Sequence, residues 1–213
     1  MTDPRLACLE WVELQGRRPR AAGPNARLGP HGDVVRVPLA RLTLDDGSSG
    51  FGLARPTREE AQELLGMPLP ALFSTPGGAT GRGLPIDIPL WDLVARREGT
   101  PVYAMAARMA GRSIDRAPRP RCYDTSLYFD DLDVGDDGEA AALIAAEALQ
   151  GRAHGHRHFK LKVGRGARHM APEAGIRRDI AVVRATREAV GAEAALMIDA
   201  NDGYNLNLAK HVL

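Results

Sequence analysis

Lys160 and Lys162 stand two residues apart in the run Phe159-Lys160-Leu161-Lys162-Val163, and of the 28 basic residues in the chain only these two and Lys210 are lysine. Arginine keeps its proton at any physiological pH, whereas a lysine in a dry or cationic site gives it up near neutrality. A lysine retained in so arginine-rich a chain therefore points to proton chemistry. Two ammonium groups a few ångströms apart disfavour charging both, which draws a lysine toward the range of about 7–8 that suits a general base. A solvated strand with one polar face has the same KxK pattern, and on these residues alone that plainer reading is the stronger.

Asp199-Ala200-Asn201-Asp202 places three oxygen-bearing side chains directly after the apolar run Ala195–Ile198. Hard oxygen ligands at the end of a parallel strand suit Mg²⁺, although an Asn-Asp-Gly turn into the next helix uses the same residues. His154, His156 and His158 share the parity of the lysines, but Gly155 interrupts the run, so the first two read as loop residues and His158 as filling beneath Lys160. Gly164-Arg165-Gly166 follows a strand, yet His169 stands where a dinucleotide fingerprint needs its third glycine. The segment reads instead as a loop over a substrate pocket, with Arg165 or Arg168 meeting an anionic substrate. Cys8 and Cys122 have no CxxC or CxxH companion and read as ordinary buried or half-buried thiols.

These residues need elements to hold them. Val34–Val37 and Leu39–Leu44, the turn Asp45-Asp46-Gly47 and then Gly50-Phe51-Gly52 predict an antiparallel hairpin. Thr57-Arg58-Glu59-Glu60 is a capping box opening a helix to about Leu65, and a second helix is expected over 89–98. Trp91 and Asp92 read as helix packing and helix-end hydrogen bonding. This α+β domain is expected to occupy 1–115. After Pro118-Arg119-Pro120 the pattern alternates: strands over 123–129, 159–163 and 195–198, helices over 139–149 and 175–190, the latter with Ile176, Ile180, Val183 and Val190 on one stripe. Such alternation predicts parallel βα units over 116–213. A last amphipathic helix over 205–213 has no closing Gly, Asn or Pro, and three βα units fall short of the roughly 250 residues of a closed barrel. The chain is therefore expected to be the N-terminal portion of a longer protein.

The 213 residues are 44% hydrophobic and 26% charged, with 23 Gly and 15 Pro, a globular composition. A net charge of +1 lacks the basic excess of a nucleic-acid binder. The sequence carries neither an apolar run long enough for a membrane span nor an export signal, so a cytoplasmic protein without nucleic-acid or membrane partners is expected.

In combination, a strand with KxK, a helix and a following strand ending in Asp resemble the enolase superfamily, in its mandelate racemase and muconate-lactonizing branch. Asp45-Asp46-Gly47 with Gly50-Phe51-Gly52 resembles that family's cap hairpin. Pro89-Leu90-Trp91-Asp92-Leu93 and Gly99-Thr100-Pro101-Val102-Tyr103 resemble its ALWDL helix and GxPVY turn, and Ile198-Asp199-Ala200-Asn201 its third-strand metal motif. The resemblance implies an α+β cap domain followed by an incomplete α/β barrel of the modified (β/α)8 TIM type, in a homo-oligomeric parent enzyme. It implies Mg²⁺, with Asp199 as one ligand, stabilising the enediolate formed when the proton next to a substrate carboxylate is removed. Lys162 would be the base, Lys160 would neutralise the carboxylate and depress Lys162, and Asn201 would bind substrate. Dehydration of an acid sugar is the leading activity implied. Racemisation, epimerisation or cycloisomerisation by the same chemistry is the alternative, as is an inactive truncated product. The remaining ligands and the opposite-face base belong to later strands in the family, so this chain alone is expected to be inactive.

Overall fold

The computed structural model describes residues 2–75, 77–114 and 116–212. Asp115 and Leu213, where the sequence places the end of the first domain and of the last helix, lie outside the described residues. The chain divides into two compact units, one of residues 1–16 and 35–118 and the other of 17–34 and 119–213.

The first unit is built on a sheet in the order β1-β2-β3, from β1 (Leu6–Ala22), β2 (Gly32–Leu44) and β3 (Ser49–Leu53). β1 and β2 run on into the 17–34 segment of the second unit. β2 and β3 are antiparallel, with Leu42 opposite Gly50, as the Asp-Asp-Gly turn predicts. Helix α1 (Arg58–Leu64) opens with the capping box, Thr57 accepting from the Glu60 N–H and Glu60 accepting from the Thr57 N–H. There follow α2 (Leu69–Leu72), the short hairpin β4 (Phe73–Ser74) and β5 (Gly78–Ala79), α3 (Asp87–Arg97) and α4 (Val102–Met109). Leu6, Leu42, Leu64, Leu72, Leu90, Leu93 and Met105 share one core. Trp91 packs edge-on against Phe73 as expected. Asp92, however, sits mid-helix and accepts from the Phe51 N–H of β3 at 3.0 Å, so it ties helix to strand rather than finishing the helix.

The second unit alternates β6 (Asp124–Leu127), α5 (Asp137–Ala153), β7 (His158–Lys162), α6 (Pro172–Val190), β8 (Ala195–Asp199) and α7 (Leu206–Val212). Its three strands form a parallel sheet in chain order. Period two along β7 buries Phe159 and Leu161 with Leu127, Ala141, Ile144, Ala148 and Val182. Each such buried side chain contributes about 1.5–3 kcal/mol, and this fixes the strand so that its other face carries His158, Lys160 and Lys162.

Three expectations need correcting. The buried stripe of α6 runs through Gly175, Arg178, Asp179, Val182, Thr186 and Val190, while Ile176, Ile180 and Val183 are only half-buried. Apolar periodicity misplaced the stripe because two of its members are charged. Cys8 and Cys122 are both exposed, not buried. Helix α4 starts one residue after Pro101, where the sequence reads as a turn, since proline suits a helix start. No helix among the described residues is long and apolar enough to cross a membrane.

Candidate functional site

Parallel register sets Lys162 of β7 directly opposite Asp199 of β8, with Lys160 opposite Met197. Both lysines reach the same oxygen: Lys162 Nζ lies 2.8 Å and Lys160 Nζ 3.1 Å from Asp199 Oδ2. The Lys162 side chain is only 8% exposed, against 24% for Lys160 and 28% for Asp199. Asp199 Oδ1 accepts the Asn201 N–H at 3.0 Å, a turn made possible by positive φ at Asn201 and Asp202. Asn201 Oδ1 is buried without a hydrogen-bond donor, a free oxygen beside the carboxylate's own turn.

Two cations and one anion define the electrostatics. Hydrogen bonding from Lys162 lowers the Asp199 carboxyl to about 2, helped by the Asn201 N–H and Lys160 and opposed by burial. The bond to Asp199 in turn holds Lys160 above its ordinary value. Mutual repulsion of the lysines, the effect expected from spacing alone, is thus offset here by the carboxylate they share.

Spacing alone did not find two further groups. The ring of Tyr123 lies 5.5 Å from Lys160 Nζ and that of Tyr128 5.6 Å from Lys162 Nζ, both in cation–π range. Tyr128 also stacks at 4.6 Å on His31 from the 17–34 segment. The signal was present in the sequence as tyrosines bracketing β6, but neither position has a periodicity that marks it. Both rings line a cavity of about 670 Å³ together with Arg18, Arg20, Glu147 and His156. Burial, and then the neighbouring Asp130, push the Glu147 carboxyl well above the usual carboxylate range, against the pull of Arg20. His154 caps the end of α5, His156 lies in the following loop, and His158 Nδ1 accepts the Ala195 N–H at 3.2 Å.

Arg165 is not a substrate ligand. It is fully buried, pairing with Asp131 and Asp179 at 2.6 Å each, with its guanidinium over the Phe129 ring. Arg178 joins the same cluster through Asp131 at 3.3 Å and through Asp137. Arg168 donates to the Arg27 carbonyl at 2.9 Å. The loops leaving β7 and β8 pack closely. Gly164 has φ of +100°, and a Cβ there would meet Ala200 O and Ala26 Cβ at 3.1 Å; a Cβ at Gly203 would meet Ala26 Cβ at 2.7 Å.

As a metal centre this constellation is partial. Asp199, anionic at any physiological pH, and the donor-free Asn201 oxygen have the hard-oxygen chemistry of a Mg²⁺ ligand set. Among the described residues, though, no group of three or more His, Cys, Asp or Glu side chains stands close enough to hold an ion. Asp199 fits as one corner of a site.

The family model described as enolase C-terminal domain-like matches residues 143–213. The D-galactarolactone cycloisomerase of Agrobacterium fabrum is 28% identical over 193 residues, covering 80% of this chain and 46% of that protein. Among solved structures, galacturonate dehydratase from a Geobacillus species, complexed with D-galacturonate and 5-keto-4-deoxy-D-galacturonate, superposes with a TM-score of 0.87 at 42% identity. A mandelate racemase/muconate lactonizing protein from Geobacillus, complexed with magnesium and tartrate, gives 0.89 at 43%. Both superpositions cover 100% of this chain and 55% of the other, so the chain spans about half the length of the relatives it matches. With lysines and aspartate meeting at the ends of adjacent parallel strands, and with these relatives, the chain belongs to the enolase superfamily, in its mandelate racemase and muconate-lactonizing branch.

Proposed function

We propose that the enzyme carrying this sequence removes the proton α to the carboxylate of an acid sugar and then expels a β-hydroxyl, a Mg²⁺-dependent dehydration. The observation that supports this most is the pair of lysine ammonium groups within 3.1 Å of a single aspartate oxygen at the carboxyl ends of β7 and β8. In this reading 1–115 is a cap domain and β6, β7 and β8 are the first strands of a (β/α)8-type barrel. Asp199 would be one ligand of the metal, with Asn201 beside it for the metal or the substrate. When bound, the metal supplies positive charge against the negative charge that grows on the substrate carboxyl as the proton leaves.

The residues of the chain divide the remaining work. Lys162, the more buried lysine, accepts the α-proton on Nζ while the C–H electron pair moves toward the carboxyl. A base at this position acts through its neutral amine. Lys160, kept protonated, meets the carboxylate. The β C–O bond then breaks and the hydroxide leaves, taking a proton from solvent to become water, while Lys162 returns the α-proton to solvent, so that the net change is loss of one water. The sugar-acid ligands of galacturonate dehydratase favour dehydration; the cycloisomerase relative favours the alternative, in which the same intermediate is reprotonated or closes a ring.

The test is exchange of the substrate α-proton in deuterated buffer with Mg²⁺ and D-galacturonate, on the full polypeptide and on residues 1–213 alone. Lys162→Arg keeps the charge but has no neutral form near pH 7, and its exchange should fall about 10²–10⁴-fold. Exchange at the unsubstituted rate in that variant overturns the role of Lys162. Residues 1–213 alone, with one carboxylate in place, should bind Mg²⁺ weakly and turn over nothing.

A further inference from the structure

We propose that Asp179 and Tyr204 are positioning residues that hold Lys162 and Asp199 at their working separation; this rests on the proton-abstraction reading above. Asp179 is fully buried on α6, the helix whose Val182 shares a core with Phe159 and Leu161 of β7. Its Oδ2 accepts the Gly164 N–H at 2.8 Å, the Arg165 N–H at 3.2 Å and the Tyr204 hydroxyl at 2.6 Å, and its Oδ1 accepts from Arg165 at 2.6 Å. Gly164 opens the loop that leaves Lys162, and Tyr204 belongs to the loop that leaves Asp199. A single carboxylate is therefore bonded at once to the two chain segments whose strand ends bear the reacting pair.

The coupling continues into the strands. The Val163 N–H donates to the Asp199 carbonyl at 3.1 Å, and the Gly203 N–H to the Ala200 carbonyl at 2.7 Å, so each loop is fixed to its strand end at short range. Arg165 adds a further bond to the Lys162 carbonyl at 3.4 Å while Asp131 holds its other edge. Arg165 and the Gly164 amide tie Asp179 to the segment after β7. The Tyr204 hydroxyl adds the link to β8, and that link is what a positioning device requires. Burial raises the Tyr204 hydroxyl above its ordinary range, the Asp179 charge adding to the effect, so the phenol stays a donor across physiological pH.

Tyr204→Phe removes that donor and keeps the ring. The readout is the lysine ammonium spectrum of the ¹⁵N-labelled chain without substrate, which is sparse because the chain has three lysines and the exposed Lys210 exchanges away. Ammonium protons held in a hydrogen bond persist, while those open to water exchange away. In folded Tyr204→Phe, the Lys162 signal should be lost and the Gly164 and Arg165 amides should exchange about tenfold faster, with the Leu161 amide unchanged. A folded variant with the Lys162 signal and both amides as in the unsubstituted chain overturns the proposal. If Tyr204→Phe does not fold, the unsubstituted chain decides the matter in rising sub-denaturing urea. Loss of the Lys162 signal together with protection at Gly164 and Gly203 supports the device, and loss of the signal while those amides stay protected overturns it. Neither readout involves substrate, so a Lys162→Arg variant that still exchanges the α-proton refutes the base without touching this result.

Discussion

The second unit holds two charge clusters on neighbouring elements, built on opposite plans. At the ends of β7 and β8, Lys160 and Lys162 share Asp199, an excess of one positive charge on side chains that are 8–28% exposed. Behind them the four buried charges of Arg165, Arg178, Asp131 and Asp179, at 0–2% exposure, each face an opposite one, with the part-exposed Asp137 adding a further carboxylate to Arg178 at the edge. The closed cluster has exhausted its partners and can only hold geometry. The open one is left short of negative charge and short of burial, the condition in which an anionic substrate gains most from entering. Arginine and lysine are divided accordingly: the forks that cannot lose their proton fill the closed cluster, and the amines stand in the open one, Lys162 nearly buried and Lys160 part exposed.

Three measurements bear on this contrast, in falling order of size. Asp131→Ala leaves Arg165 and Arg178 buried without a shared partner and should cost about 3–5 kcal/mol in denaturant unfolding. A cost below about 1 kcal/mol would mean that water reaches the cluster and that it is not closed. Next, Asp199 has its folded value lowered to about 2, so its pairing stabilises the chain above the unfolded value of about 3.9 and is lost as pH falls through 2. Thermal melts from pH 5 to pH 2 should decline more steeply for the unsubstituted chain than for Asp199→Asn; parallel curves would show the lysines unpaired in solution. Smallest, Glu10→Ala breaks the Arg41–Glu10 pair, which is balanced like the closed cluster but 62% and 55% exposed. Its effect on the melt should stay within about 0.5 kcal/mol, separating burial from charge balance as the source of the difference.

The sheet and the open cluster were legible because they obey period two: Phe159 and Leu161 declare one face of β7, and the lysines must then share the other. The capping box at Thr57 and the turn at Asp46-Gly47 were equally local signals. The closed cluster was not legible. Arg165, Arg178 and Asp179 have partners 14 to 47 residues away, and an isolated arginine carries no mark of burial. The same blindness shifted the expected stripe of α6 and assigned Arg165 to substrate. Tyr123 and Tyr128 escaped notice because a cation–π contact depends on where two chain segments cross, not on a spacing within one.

The packing of Gly164, Gly203 and Ala26 limits how this site can change over generations. An added Cβ at Gly203 meets Ala26 Cβ at 2.7 Å and the Ala200 carbonyl at 2.8 Å, while at Gly164 the backbone φ of +100° is itself closed to most side chains. A side chain at Gly203 is therefore blocked by Ala26 and the Ala200 backbone, and one at Gly164 by its own backbone conformation, so a lineage exploring new substrates cannot enlarge either without moving the loops. Variation is left to Tyr128 and the exposed residues of the 17–34 segment, where one nucleotide change alters the site without displacing the loops that carry Lys162 and Asp199.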